Sequence, residues 1–99
     1  MEFEWNPLKS AANVTKHGVS FEEALVLWTG QTLEVETIAK TQAGETRGAT
    51  LGVIADTIYT AIWTTRGTKL RLISVRRARN AEKKAYIKKI QSVSDSENF

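Results

Sequence analysis

Apolar residues recur along this chain with two different periods, and the change of period divides it. Phe3 and Trp5 flank Glu4 in a two-residue alternation, which predicts a short strand. Asn6-Pro7 then opens a helix. Asn caps well, and proline at the first helical position gives up no needed hydrogen bond. The spacing turns Leu8, Ala11, Ala12 and Thr15 inward and Lys9 and Lys16 outward, and Gly18 closes the helix in a left-handed cap. Ser20-Phe21-Glu22-Glu23 has the form of a capping box. Phe21, Ala24, Leu25 and Trp28 follow at helical spacing up to Gly30 and read as core.

Beyond Gly30 the period shortens to two. Residues 33–38, 47–54, 58–65 and 70–75 read as strands. They are joined by a turn at Gln42-Ala43-Gly44-Glu45, a tight connection at Ala55-Asp56-Thr57 and a turn at Arg66-Gly67. Short connections favour antiparallel pairing. Gly48 and Gly52 weaken their strand but permit close approach of another backbone. Asn80 caps a last helix from Ala81 to about Ile90, with Ala85, Tyr86 and Ile90 on its buried side. The expected fold is α+β: two N-terminal helices packed on one face of a four-stranded antiparallel sheet, a C-terminal helix, and the other sheet face open. Residues 1–91 form one domain, and the polar residues 92–99 form a flexible tail.

Composition changes this picture in two ways. The 99 residues include no cysteine, so disulfides and Cys-based zinc sites are excluded. No apolar run approaches the roughly 20 residues of a membrane span, and the acidic start lacks a signal-peptide core, which points to the cytoplasm. Charge is distributed unevenly. From Arg66 to Lys89 ten side chains are basic and one, Glu82, is acidic; the remainder has four basic and ten acidic residues. One side of the molecule is thereby expected to face a polyanion. A solvated basic helix after a strand would account for part of the same asymmetry.

The run from Arg66 to Arg79 carries the candidate chemistry. An apolar strand is bracketed by guanidinium groups, whose planar fork matches phosphate oxygens. The plain reading is a charged strand edge that resists aggregation. RNA is cleaved without a metal when its own 2′-OH attacks phosphorus. A protein then supplies a base, cations for the crowded phosphorane and an acid for the leaving 5′-oxygen. The cation candidates are Arg47, Arg66, Arg71, Arg76 and Arg77. Strict alternation puts Arg71 and Arg77 on the open face and Arg76 on the other, unless a bulge intervenes. His17, the sole histidine, and Glu45 are the candidate bases; a helix-end residue and a solvated turn residue are the plain readings of the two. Lys16, Lys69, Arg79 and Lys83 are candidate RNA contacts. No His/Asp/Glu cluster has metal-ligand spacing and no phosphate-cradling glycine loop is present, so neither metal nor cofactor is expected.

Two blocks together carry a family resemblance: Phe3-Glu4-Trp5-Asn6-Pro7 with Lys9 and Asn13, continuing through Lys16-His17-Gly18-Val19-Ser20-Phe21-Glu22-Glu23-Ala24, and Arg71-Leu72-Ile73-Ser74-Val75-Arg76-Arg77-Ala78 with Glu82 and Tyr86. Between them lie Gly44-Glu45, Arg47, Gly52 and Thr64-Thr65-Arg66. Over about residues 2 to 87 the chain resembles the BrnT toxins of bacterial type II toxin–antitoxin systems. It departs from them at Gly48, where the family often has a large apolar or aromatic residue. The resemblance implies a RelE-like fold and an endoribonuclease that blocks translation, acting on free or ribosome-bound RNA. It also implies a BrnA-like antitoxin with a ribbon-helix-helix DNA-binding part. The competing reading is a non-catalytic nucleic-acid-binding module that uses the same basic face.

Overall fold

A computed structural model describes residues 2–40 and 46–97. Strand β1 (Glu2–Glu4) leads to helix α1 (Pro7–His17). Asn6 Oδ1 accepts the Leu8 N–H at 2.8 Å, and Gly18 closes the helix with φ 77°. Helix α2 (Phe21–Ala24) begins at a reciprocal Ser20–Glu23 capping box, both bonds 3.0 Å, and tightens into a 3-10 turn at Leu25–Thr29. Four strands follow: β2 (Leu33–Lys40), β3 (Thr46–Ile54), β4 (Thr57–Arg66) and β5 (Lys69–Arg77). Helix α3 (Asn80–Glu97) ends the described chain.

The α+β class holds, but the sheet is five-stranded and mixed, in the order β1-β5-β4-β3-β2. Beyond the four antiparallel strands expected, β1 adds itself parallel to the start of β5, pairing Phe3 with Leu70. The β3–β4 turn places Ala55 and Asp56 at φ 48° and 64°, the left-handed pair that a two-residue hairpin needs. The turn expected at residues 42–45 lies outside the described residues.

One sheet face carries the core. Trp63, Ala61, Leu70, Leu72 and Val75 pack there against Val19, Phe21, Ala24 and Leu27. Leu27 is fully buried because the helix narrows to a 3-10 turn after Ala24. The inward period then becomes three, and Phe21, Ala24 and Leu27 line up. Gly52 lets this turn approach: a Cβ there would lie 3.2 Å from the Leu27 carbonyl oxygen. At Gly48 a Cβ would lie 2.5 Å from the Trp63 ring, so the indole fills the space that a larger residue would take.

Helix α1 keeps Lys9 and Lys16 outward as expected but buries a residue outside the expected inner set. Leu8 is 80% exposed, and Ala11, Ala12 and Thr15 are exposed, whereas Asn13 is buried. The reason is backbone satisfaction at the sheet edge. β1 covers only the start of β5, and α1 lies against the rest. There the Asn13 amide donates to the Val75 carbonyl at 2.8 Å and accepts the Val75 N–H at 3.1 Å, standing in for a strand neighbour. The exchange outweighs burial of alanine methyls.

Helix α3 also departs from expectation. It lies over the second sheet face, which is therefore open only in part, and it continues to Glu97 with no glycine or proline to stop it near Ile90. Arg79, rather than Asn80, is the cap: its N–H donates to Glu82 Oε1 at 2.7 Å and its carbonyl accepts from Lys83. Tyr86 is buried as expected, its hydroxyl donating to the Gln31 carbonyl at 2.8 Å.

Candidate nucleic-acid interface

The β4–β5 register decides which arginines share a face. Trp63 pairs with Leu72 and Ile62 with Ser74, so Ile73 is an extra residue, a β-bulge. Alternation restarts after it. Arg71 and Arg76 therefore fall on the second face, while Arg77 lies opposite Tyr59 on the core side, exposed at the strand end. The expected pairing of Arg71 with Arg77 is corrected by this single residue.

Across the second face the register forms rows. Arg71 faces Thr64, and Thr64 faces Arg47. The two arginines thus stand on either side of one threonine, their strands roughly 10 Å apart, two strand spacings. Thr64 is buried and its hydroxyl is 3.3 Å from the Thr46 carbonyl. Together with Lys9, Arg66 and Ile73 this row lines a concavity of about 320 Å³.

A second concavity, about 310 Å³, is lined by Lys9, Ala12, Asn13, Lys16, His17, Ile73 and Ser74. A third, about 530 Å³, is lined by Lys16, His17, Gly18, Arg76, Arg77 and Arg79. Lys9 and Ile73 belong to the first and second, Lys16 and His17 to the second and third. The three form one track beside β5, with α1 as a wall. Candidates Arg47, Arg66 and Arg71 gather at one end, and Lys16, His17, Arg76, Arg77 and Arg79 at the other. His17 and Arg47 share none of these three concavities. Glu45 lies outside the described residues. Lys69 is 3.8 Å from Glu2, and Lys83 is exposed on α3; neither lines the track.

Lys9, Thr64 and Ser74 are lining residues that the sequence reading did not select. Lys9 had a visible signal: it lies two helical turns before Lys16, on the same side of α1.

Two acidic residues shape the electrostatics. Glu4 Oε1 lies 3.7 Å from Arg71 and 3.9 Å from Arg66, beyond hydrogen-bonding reach. This fixes their neighbourhood while contributing little energy. Glu82 instead grips Arg76 with two bonds of 2.7 and 3.0 Å and also accepts from Thr60 at 3.2 Å. The hydrogen-bonded guanidinium lowers the Glu82 carboxyl to about 2, against the opposing effect of burial. Arg76 therefore serves as the anchor of α3.

Among the described residues no three His, Asp or Glu side chains gather as a metal-binding group, and no helix is long and apolar enough to cross a membrane.

Residues 5–82 match the family model described as ribonuclease toxin, BrnT, of type II toxin–antitoxin system. The chain belongs to the BrnT family. The matched range includes α1, the bulged strand and Glu82, so the whole track lies within it. No curated protein matches the chain significantly. Membership makes this a toxin of a type II system whose family activity is ribonucleolytic, with RNA as substrate and an antitoxin as partner.

Proposed function

We propose that the protein is a metal-independent endoribonuclease that inhibits translation, with RNA lying along the track beside β5. The row Arg47–Thr64–Arg71 carries this reading. It offers two guanidinium groups on one rigid sheet face, where a phosphate changing to a phosphorane gains charge. Arg66 and Lys9 add positive charge at that end, and Arg77 and Arg79 hold the backbone at the other.

Two residues are candidate bases: His17, which lines the other end of the track from the Arg47–Arg71 row, and Glu45, two residues before Arg47 in the sequence. The 2′-OH gives its proton to the base as the 2′-oxygen bonds to phosphorus. The P–O5′ bond then breaks, and the leaving oxygen takes up a proton from water. The products are a 2′,3′-cyclic phosphate and a 5′-hydroxyl. His17→Ala and Glu45→Ala variants separate the two: cleavage is lost with the true base and retained with the other.

The antitoxin is proposed to be BrnA-like, with a ribbon-helix-helix part, and the toxin to act in the cytoplasm. Ribosome-bound and naked RNA, assayed side by side, report whether the ribosome presents the substrate.

A further inference from the structure

The second sheet face holds another concavity, about 390 Å³, outside the basic track. Val35, Ala49 and Ile62 wall it from the sheet, and Ala81 and Ala85 from α3. It exists because α3 is tied down by polar bonds: Glu82 at its first turn, and Tyr86 and Lys89 to the carbonyls of Gln31 and Thr32. The two alanine methyls, Ala81 just before the first tie and Ala85 between the first and second, do not fill the space against the strands. Val35 remains 47% exposed.

The lining chemistry selects the occupant. Every lining side chain is aliphatic except Glu82, whose carboxylate is engaged by Arg76, Thr60 and the Arg79 N–H. A phosphate meets no donor here, and a nucleobase meets neither an aromatic platform nor a side-chain hydrogen-bond donor. Aliphatic side chains of a peptide fit. Position adds a second constraint. In the register the Ala49–Ile62 pair is followed on the same face by Arg47, Thr64 and Arg71, about 7 Å further along the strands. A chain leaving the groove in that direction arrives over two guanidinium groups.

We infer that the groove seats a segment of the protein antitoxin, apolar where it enters and acidic where it leaves, so that its carboxylates cover Arg47 and Arg71. That this shuts RNA out rests on the ribonuclease reading of the arginine row; the docking itself does not. The apolar anchor supplies affinity and the carboxylates supply register and steering.

The test titrates the full-length toxin with the purified antitoxin encoded alongside it, by calorimetry. Variants Ala85→Leu, which fills the groove, and Val35→Asp, which charges it, are compared with wild type. Each is expected to weaken antitoxin binding at least about tenfold. Melting temperature and RNA cleavage by the free Ala85→Leu toxin stay at wild-type levels. Should Val35→Asp fail to fold, Ala85→Leu alone decides. Wild-type affinity in Ala85→Leu overturns the proposal. So does loss of RNA binding with antitoxin affinity intact, which would make the groove a base pocket. If wild-type toxin cleaves no RNA yet Ala85→Leu loses the antitoxin, the ribonuclease reading fails and the docking site stands.

Discussion

Asn13 occupies the place of a missing strand: its side-chain amide pairs with both backbone groups of Val75, and the same nitrogen donates to the Val19 carbonyl at 2.7 Å. One residue thus seals the edge of β5, joins α1 to the loop after it, and fixes the wall that carries Lys9, Lys16 and His17. Replacing Asn13 with Ala orphans three buried backbone groups and is expected to cost about 3 kcal/mol. Thermal or urea unfolding measures it. A loss below about 0.5 kcal/mol would mean that water replaces the amide without penalty.

The Arg76–Glu82 pair makes a pH prediction. The folded Glu82 carboxyl titrates near 2, below its ordinary 4.5. A depressed carboxyl contributes stability that is full above the unfolded value and is lost as pH falls toward the folded one. Solvent screening of this partly exposed pair keeps the contribution to roughly 1–2 kcal/mol. Stability should therefore fall between about pH 4.5 and 2, and this slope should flatten in Glu82→Gln. Denaturant titrations across that range provide the check; equal slopes in both proteins would remove Glu82 as the source.

The bulge at Ile73 separates two arginines that look alike in sequence. Arg71→Ala is expected to reduce cleavage roughly 100-fold with little change in melting temperature. Arg76→Ala is expected to lower the melting temperature, because it strands Glu82 and loosens α3. Cleavage kinetics alongside calorimetry read both effects. The reverse pattern would place the phosphate at Arg76.

Gly48 sits beneath the Trp63 ring, where an added methyl finds ring atoms at 2.5 Å. Trp63 cannot swing aside without giving up its 2.9 Å bond to the Thr50 hydroxyl. Gly48→Ala should destabilise by about 1–3 kcal/mol. An unfolding curve matching wild type would show that the indole shifts freely.

Much of the fold was legible because local signals agreed with the global arrangement. Asn6-Pro7, Ser20 with Glu23, and the turns at Ala55-Asp56 and Arg66-Gly67 mark boundaries through backbone chemistry that acts at short range. Failures came where tertiary demands overrode periodicity. Asn13 was drawn inward by an open strand edge, leaving Leu8 in water, and no helical wheel contains that edge. Leu27 was missed because the helix changed type beneath it. The candidate site shows the same division. Clustered arginines are visible in composition, but their facing depends on Ile73, an apolar residue that looks like any other strand position until the register is known. Lys9 joins the track only because α1 packs the way Asn13 dictates.

The most direct test of the account is cleavage in EDTA. Purified toxin is incubated with naked and with ribosome-bound RNA, and the new ends are mapped for wild type, Arg47→Ala and Arg71→Ala. Wild type is expected to leave 5′-hydroxyl and 2′,3′-cyclic phosphate ends on at least one substrate, and both variants to lose them. Intact RNA on both substrates, with salt-sensitive binding retained, would contradict it and leave a binding module in place of an enzyme.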